Sequence, residues 1–411
     1  MNSSLNFNQL DQKSKFKIYF SCFIFLVVVI FLTLFHFWEF PLVSPLTNSS
    51  VFEFLTEQSI LNADPELEKN NQKIIYGFLP YWNLDETQIQ PELTHLSYFG
   101  LNVNADGTIL TKDADGNLHP GYARLNSDKL LELANDMNDN NNQFEIVLVQ
   151  FEADKIVQIA NDEEAHENLI KGLDSILLAY PVNGLNIDIE YGGTISQELR
   201  DNFASLVEKI SHHVKTKFGD IKISIDMYAS ASDNKQLWDI PRIGKAVDYI
   251  VVMAYDFHRP ASTRAGPVAP LFGNYSYDDY IHQNLHNYLR YVPKEKILLG
   301  IPFYGYEWQV DSHSPRANAY PDTGHATTYQ KVQKLLADRS VHIKTGWDER
   351  ALCPYLSYEK DDNIYMIYYE NIASIEYKLE YVKQLDLAGI AIWALGYEGE
   401  TRDFWDLVEK L

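Results

Sequence analysis

Cysteine and basic residues are both scarce in this sequence. Its 411 residues contain only two cysteines, Cys22 and Cys353, so a fold held together by several disulfides is excluded. Lysine and arginine number 34 against 57 aspartate and glutamate residues, which gives a net charge of −23. A chain this acidic lacks the basic surface that binding to nucleic acid phosphates requires, so nucleic acid is not expected as a partner. The HxH and CxxC spacings that are typical of metal sites are also absent.

Apolar residues, in contrast, are plentiful. They make up 46% of the chain, which is enough for a large core and argues against a disordered or fibrous protein. Residues 18–38 form one long run without any Lys, Arg, Asp or Glu. A run of this length crosses a hydrocarbon layer of about 30 Å as a helix. Lys13, Lys15 and Lys17 precede it, and this charge bias places the N-terminus in the cytoplasm.

We therefore predict a single-pass membrane protein with a cytoplasmic tail over residues 1–17, a transmembrane signal anchor over residues 18–38 and an extracytoplasmic catalytic domain. The alternative is a signal peptide that is cleaved, which would release a secreted protein. Residues 39–72 are polar and contain early prolines, so we interpret them as a stalk or linker.

From residue 73 to residue 411, short apolar runs alternate with amphipathic helical patterns. Eight strands that alternate with helices predict an α/β fold of the (β/α)8 or TIM barrel type. Roughly 85 residues separate the last two runs, and this gap contains strand-like sequence at 363–369. We therefore predict a small α+β insertion over about 306–374, on top of the barrel. The eight runs are residues 74–79, 94–101, 144–150, 184–190, 221–228, 249–255, 297–304 and 389–395.

The fourth run, with the sequence VNGLNIDIEY over residues 182–191, is the most informative part of the chain. Alternate side chains of a strand lie on opposite faces, so Asn186, Asp188 and Glu190 share one face. In a barrel this polar face points inward and rises toward the C-terminal rim, where catalytic residues gather. Two carboxyl groups this close do not both ionise freely, so we expect one to stay protonated near neutral pH and to serve as a general acid. An acidic strand end solvated at the rim would give the same pattern.

These residues resemble a known signature. The segment NGLNIDIE over residues 183–190 is similar to the DGxDxDxE motif of glycoside hydrolase family 18, the chitinase family, with Asn at the first two Asp positions. The segments MAYD at 253–256 and GIPFYG at 300–305 resemble the MxYD and GxPxYG motifs of the same family. Trp393 lies where the family has its eighth-strand tryptophan, and IYGF at 75–78 resembles its opening strand. The motifs occur in the family's order on the predicted strands.

The resemblance implies hydrolysis with retained configuration, in which the 2-acetamido group of the substrate acts as the nucleophile. Glu190 would protonate the leaving oxygen and later act as a base toward water. Asp188 would accept a hydrogen bond from the acetamido N–H, and Tyr255 would hold the acetamido oxygen. Chemistry of this kind requires no metal and no cofactor.

The resemblance also implies a set of substrate-binding residues, in which Trp393 stacks under the sugar at the reacting position. Each has an ordinary structural explanation as well, since a Trp or Tyr on a buried strand usually packs in the core and an Asp after a strand often caps a helix. The set comprises Asn186, Met253, Asp256, Tyr304 and Trp393.

Asn186 is a departure from the family's motif. In many chitinases an acidic residue at this position lies directly beneath the middle Asp. Without that neighbouring charge, we expect Asp188 to ionise more readily. Family members with Asn here resemble spore and cell-wall lytic enzymes, so the change does not imply loss of activity.

Together these features predict a membrane-anchored glycosidase that acts on β-1,4-linked N-acetylglucosamine glycans. The substrate would be chitin and its oligosaccharides or the glycan strand of peptidoglycan, and protein glycans are a third option. The rival from a different class is a catalytically silent, chitin-like lectin. The presence of Glu190 argues against a lectin, because such lectins typically have this residue replaced.

Overall fold

The computed structural model describes residues 73–232, 236–273 and 279–411. Among these residues, no helix is long and apolar enough to cross a membrane. The predicted cytoplasmic tail, transmembrane segment and stalk together span residues 1–72 and lie outside the described residues.

Eight parallel strands form a closed barrel, which confirms the fold predicted from the alternating apolar runs. The observed strands overlap all eight predicted runs. Their buried apolar residues form the core between the strands and the surrounding helices. The barrel strands are β1 (Ile74–Pro80), β2 (His95–Asn102), β3 (Gln143–Gln150), β4 (Gly184–Ile189), β5 (Lys222–Tyr228), β6 (Tyr249–Met253), β7 (Ile297–Pro302) and β13 (Gly389–Trp393). Strands that follow one another in this series are neighbours, and β13 closes the barrel against β1.

Helices connect the strands and cover the outside of the barrel. The longest of them begins where the Ser196 side chain accepts a hydrogen bond from the Leu199 N–H at 3.0 Å, and it ends at Gly219, whose φ is 73°. Its buried residues recur at the three- and four-residue spacing of one helix face. The helices are α1 (Pro120–Leu125), α2 (Asp128–Asp139), α3 (Ala153–Asn161), α4 (Glu163–Ala179), α5 (Gln197–Phe218), α6 (Ile240–Ala246), α7 (Ile281–Tyr288), α8 (Tyr329–Ala337), α9 (Ile372–Gln384) and α10 (Asp403–Val408).

An antiparallel sheet with one helix, α8, is inserted between β7 and β13, as predicted. It begins slightly earlier than expected because β7 ends at Pro302 and Tyr304 already pairs with Thr328 of the inserted sheet. From one edge of the sheet to the other, the order of the strands is β10, β11, β12, β8 and β9. These strands are β8 (Tyr304–Val310), β9 (His325–Thr328), β10 (Ile343–Asp348), β11 (Cys353–Lys360) and β12 (Asn363–Tyr368).

The two faces of the inserted sheet have different neighbours. On one face, Tyr304, Tyr306 and Trp308 of β8 pack in a cluster with Val268 from the loop after β6. On the other face, residues of β11 and β12 pack in a cluster with Val332 of α8. The alternation along β8 therefore directs its aromatic side chains toward the top of the barrel, where they can line a site.

Candidate active site

A cleft with a volume of about 610 Å³ opens at the C-terminal ends of the barrel strands. Its lining comes from barrel strands, from the loops that follow them and from the inserted sheet. Seven of the eight residues that the sequence predicts for the site lie together in this lining. They are Asp188, Glu190, Met253, Tyr255, Asp256, Tyr304 and Trp393.

β4 positions the two predicted catalytic carboxyl groups. Asp188 lies near the end of the strand and is 3% exposed, whereas Glu190 directly follows the strand and is partly exposed in the cleft. The Glu190 N–H donates a hydrogen bond to the Gln150 carbonyl of β3 at 3.0 Å, which fixes the backbone at this point. The two acids therefore rise inside the barrel toward its rim, as the alternation along the strand predicts.

Burial raises the pKa of both carboxyl groups. For Asp188 the negative charges of Asp226 and Glu190 add to the effect of burial, so its pKa lies well above the ordinary value. For Glu190, a hydrogen bond with the Tyr228 hydroxyl and the positive charge of Arg259 lower the pKa, but they do not outweigh burial. Asp188, Glu190 and Asp226 form what we call the upper layer of polar residues in the barrel. Two buried carboxyl groups and a partly exposed one that interact in this way do not all ionise freely near neutral pH.

Asn186 is the predicted site residue that lies beneath the cleft. It is completely buried, and its amide group donates hydrogen bonds to Ser224 Oγ and to Asp226 Oδ1, both at 2.9 Å. Asp226 belongs to β5 and raises the pKa of Asp188. The expectation that Asp188 ionises more readily than it would with an acid at position 186 stays a prediction, but Asp188 still has a neighbouring acid. The neighbouring acid comes from the next strand, which the spacing within β4 could not reveal.

The loop after β6 places Tyr255 and Asp256 in the lining of the cleft. The rings of Tyr255 and Tyr304 meet edge to face, with their centroids 6.2 Å apart. Asp256 has a left-handed backbone with φ of 61°, and its Oδ1 accepts hydrogen bonds from the hydroxyl groups of Tyr304 and, at 2.8 Å, Tyr306. Among the described residues, the next helix begins only at Ile281, so Asp256 does not cap a helix.

Trp393 ends β13 and belongs to a group of aromatic rings at one end of the cleft. Its ring centroid lies 5.7 Å from that of Phe78 and 4.9 Å from that of Phe99. Phe99 in turn contacts Trp82 and Phe151, which are 48% and 50% exposed. The group thus runs from the barrel core to solvent, and it offers flat apolar surfaces within the cleft.

The sequence analysis missed Asp226, Tyr228 and Arg259. The segment KISIDMY of β5 carries its polar residues Asp226 and Tyr228 on one face, as β4 carries Asp188 and Glu190, so alternation could have identified them. Arg259 lies in a loop, with its guanidinium carbon 5.9 Å from the centroid of the Tyr228 ring. No pattern in the sequence points to Arg259.

A second polar set lies deeper in the barrel. We call it the lower layer, and it comprises Tyr76, Ser97, Glu145 and Ser224, none of which is more than 1% exposed. The Tyr76 hydroxyl donates a hydrogen bond to Glu145 Oε2 at 2.7 Å, and the Ser224 hydroxyl donates to the same oxygen at 3.1 Å. Burial raises the pKa of Glu145 to about 7. None of these residues lines the cleft.

The cleft is equipped for acid–base chemistry on a ligand with flat apolar faces. It holds a partly exposed carboxyl group of raised pKa, buried carboxyl groups beside it, phenol hydroxyls and exposed aromatic rings. In the part of the chain that the structure describes, no three His, Cys, Asp or Glu side chains are grouped so that they could hold a metal ion.

Known proteins are similar to this chain, some in sequence and some in fold. Residues 68–398 match the family model of the glycosyl hydrolases family 18. The uncharacterised glycosylase YvbX of Bacillus subtilis is 23% identical over 295 residues, which cover 70% of this chain and 76% of that protein. The cortical fragment-lytic enzyme of Bacillus anthracis is 21% identical over 317 residues, which cover 75% of this chain and 66% of that protein, slightly less than two thirds. The crystal structure of a Group IV chitinase from Ostrinia furnacalis in complex with allosamidin aligns with a TM-score of 0.71 and 23% identity, over 82% of this chain and 98% of that one.

Proposed function

The chain belongs to the glycosyl hydrolases family 18 and is a glycosidase, and from this premise we propose that it hydrolyses β-1,4-linked N-acetylglucosamine glycans with retention of configuration. The observation that carries the proposal is the upper layer, in which Asp188 and Glu190 lie at the floor of a cleft that Trp393 and Tyr255 also line. These groups are the ones that substrate-assisted hydrolysis of a 2-acetamido sugar requires.

Glu190 serves as the general acid and then as the general base. Its raised pKa keeps a proton on the carboxyl group at a pH where an ordinary Glu is ionised, and its partial exposure lets it reach the leaving glycosidic oxygen. After the aglycone departs, the Glu190 carboxylate accepts a proton from the attacking water. Its hydrogen bond with Tyr228 holds the carboxyl group in place during both steps.

Asp188 and Tyr255 act on the acetamido group. The acetamido oxygen attacks the anomeric carbon, and the Asp188 carboxylate accepts a hydrogen bond from the N–H, which stabilises the positive charge that develops on the amide. The Tyr255 hydroxyl donates a hydrogen bond to the acetamido oxygen and thereby orients it. Both groups line the same cleft as Glu190, which supports this assignment.

Four further residues bind the sugar. Trp393 stacks under the ring at the reacting position, and Asp256, held by two tyrosine hydroxyls, accepts a hydrogen bond from the substrate. Tyr304 and Met253 fill the walls beside them. Asn186 lies beneath the cleft without lining it, and its amide group donates a hydrogen bond to Asp226.

Within this class we propose the glycan strand of peptidoglycan as the preferred substrate. Chitin is neutral, whereas peptidoglycan carries carboxylates. Four acidic residues line the cleft together with two cationic ones, Arg259 and Lys331. Since the charge of Arg259 acts on Glu190, Lys331 is the cation that we assign to a carboxylate of the substrate. The similarity to the cortical fragment-lytic enzyme of Bacillus anthracis agrees with this preference.

Parallel digestion of chitohexaose and purified peptidoglycan, with mass analysis of the products, tests the substrate. We expect release of fragments with N-acetylglucosamine at the new reducing end and a higher rate on peptidoglycan. Replacing Lys331 with Gln should lower the ratio of the peptidoglycan rate to the chitohexaose rate by several-fold, and more strongly at low salt. A ratio that does not change, or turnover of chitohexaose alone, would refute the preference for peptidoglycan.

The rival function is that of a lectin that binds the same glycans without cleaving them. Glu190→Gln separates the two, because it removes the proton donor and preserves the shape of the cleft. We expect kcat to fall by about 10²- to 10⁴-fold while oligosaccharide binding remains. Tight binding by the native protein with no turnover of any of these glycans would favour the lectin, and full activity of the Glu190→Gln variant would refute the assigned acid.

We also infer that residues 18–38 anchor the enzyme in a membrane, with the barrel outside the cytoplasm. The charge-free run and the lysines that precede it support this topology. Fractionation of cells, followed by protease treatment of intact cells, tests it. Recovery of the protein in the medium with a new N-terminus after the apolar run would show instead that the segment is cleaved.

A further inference from the structure

Two acidic residues lie next to each other on neighbouring strands of the barrel. β4 and β5 pair in parallel, with Asn186 opposite Ser224 and Ile187 opposite Ile225. The same register continued by one residue places Asp188 beside Asp226, on the inward face and about 5 Å apart at the backbone. Each of the two side chains is only 3% exposed, and each lines the cleft.

Asn186 fixes one oxygen of Asp226. Its amide Nδ2 donates to Asp226 Oδ1 at 2.9 Å and to Ser224 Oγ at the same distance. Asp226 Oδ1 is therefore the accepting oxygen of the carboxyl group. The other oxygen, Oδ2, is the one that is free to carry a proton.

Asp188 lacks a donor that a carboxylate in this position requires. Its Oδ1 is buried, and among the described residues no group donates a hydrogen bond to it. An unpaired buried carboxylate oxygen is costly. A protonated carboxyl group on the neighbouring strand would supply the missing donor, and Asp226 is the neighbour that the register provides.

The other charged and titratable groups near Asp226 oppose its ionisation. Burial and the negative charges of Glu190 and Glu145 raise its pKa, and the hydrogen bond from Asn186 lowers it only in part. The positive charge of Arg259 acts on Glu190. The groups that face Asp226 from the strands and loops around it are Tyr76 of β1, Glu145 of β3, Asp188 and Glu190 of β4, and Tyr255 after β6.

We propose that Asp226 is a positioning residue, which stays protonated and donates a hydrogen bond from Oδ2 to Asp188. The proton then resides on Asp226, so Asp188 is the member of the pair that ionises and turns its charge toward the acetamido N–H of the substrate. No proton is gained or lost by the pair in this step. The inference rests on the proposed role of Asp188 in hydrolysis.

The arrangement also explains Asn186. In this chain the buried acid lies beside Asp188 on β5, and not beneath it on β4. An acid at both positions would add another charge to a site that has no cation at its floor among the described residues. Asn186 avoids that charge and uses its amide group to orient the acid on β5.

Infrared spectroscopy tests the protonation state without reference to activity. The difference spectrum between the wild-type protein and the Asp226→Asn variant, both without substrate, should contain the carbonyl band of a protonated carboxylic acid near neutral pH. The Glu145→Gln variant serves as the reference for another buried acid, whose band should disappear as the pH rises through about 7. Absence of the Asp226 band near neutral pH would overturn the proposal.

Kinetics test the function of the proton. Asn is the isostere of a protonated Asp and has an N–H in place of the O–H, so Asp226→Asn should keep kcat within about threefold. Asp226→Ala, which has no donor, should lower kcat by about tenfold or more with a smaller change in KM. A loss of tenfold or more in the folded Asn variant would show that Asp226 acts as an anion and would overturn the proposal.

The exchange variant Asn186→Asp/Asp226→Asn returns the acid to β4 and provides a control for folding. It should recover most of the activity that the single Asn186→Asp variant loses, since the single variant has one buried acid too many. Equal activity and superimposable pH–rate profiles of wild type and Asn186→Asp would contradict this account. If no variant, including the wild type, cleaves any glycan, the proposed function fails, whereas the infrared result still decides where the proton lies.

Discussion

The two polar layers inside the barrel both contain buried acids, but only the upper layer lines the cleft. In the lower layer, hydroxyl groups of Tyr76 and Ser224 donate hydrogen bonds to Glu145, and the whole set is enclosed. In the upper layer, Asp188 has a buried oxygen without a donor and lines the cleft together with Glu190. Burial alone therefore does not distinguish a structural acid from a catalytic one. Among the described residues, Glu145 Oε1 is also buried without a hydrogen-bond partner, so the difference lies in whether the acid lines the cleft, where a ligand can reach it.

The largest expected effect is the difference in kcat between two variants, one of which removes a carboxyl group from the upper layer and the other a carboxyl group from the lower layer. Asp188→Asn should lower kcat by about 10²- to 10³-fold, because the positive charge on the acetamido group loses its counter-charge. Glu145→Gln should keep kcat within a few-fold, because it does not line the cleft. Steady-state kinetics on a soluble oligosaccharide, with circular dichroism of each variant, make the comparison. Equal losses of kcat in two folded variants would abolish the distinction between the layers.

The pH dependence of stability should show the second largest effect, and it concerns the lower layer. Burial raises the pKa of Glu145 to about 7, while an unfolded Glu titrates near about 4, so the folded protein holds this proton more tightly. The contribution of Glu145 to stability is therefore most favourable below about pH 4. It falls as the pH rises toward about 7, by on the order of 3 kcal/mol in total.

The Glu145→Gln variant has no titratable group at this position, so its stability should not show this decrease. The free energy of unfolding of the variant should therefore increase relative to that of the wild type between about pH 4 and about pH 7, so that the variant becomes the relatively more stable protein as the pH rises. Urea unfolding at a series of pH values measures the difference. Glu398, whose pKa burial also raises to about 7, is present in both proteins and cancels. A difference that stays constant over this range would contradict the assignment.

A matched pair of phenols sharpens the comparison further. Tyr255→Phe should lower kcat by about 10- to 100-fold, since the acetamido oxygen loses a hydrogen-bond donor in the transition state. Tyr76→Phe removes a phenol hydroxyl from the lower layer, so it should lower the melting temperature and leave kcat nearly unchanged. Kinetics and thermal unfolding of both variants provide the test. The reverse pattern would mean that the lower layer takes part in catalysis.

The smallest expected effect concerns the support of Asp256. Tyr306→Phe removes one of two hydroxyl groups that donate to Asp256 Oδ1, and Tyr304 retains the other. We expect a loss in kcat/KM of about fivefold, as for a single hydrogen bond. The double variant Tyr304→Phe/Tyr306→Phe should lose more than the product of the single effects, because Asp256 then has neither donor. Strictly multiplicative losses would show that the two hydroxyl groups act independently.

Much of the fold could be predicted from the sequence, because its signals are local. A run of apolar residues with a polar alternate face, followed by an amphipathic helix, forms a strand and a helix regardless of the rest of the chain. Eight repetitions leave few topologies other than a barrel. The boundary of the insertion was less accurate, since the end of β7 depends on where Tyr304 finds a partner in β9.

The position of the proposed catalytic pair could be predicted for the same reason. Asp188 and Glu190 are two residues apart on one strand, so the geometry of that strand alone places them on one face. Asp226, Tyr228 and Arg259 could not be placed around them, because their contacts cross from β5 and from a loop to β4. The acid that Asn186 contacts, Asp226, was missed for the same reason.

By itself, the sequence determined the alternation along each strand and therefore which side chains face into the barrel. Only the tertiary structure decided which of those side chains are neighbours, because closure of the barrel sets the register between strands and brings Asn186 and Asp226 into contact. The pKa of a buried acid depends on such neighbours within a few ångströms and on exclusion of water. The protonation of the upper layer, and with it the chemistry of the cleft, is consequently a property of the assembled barrel and not of any single strand.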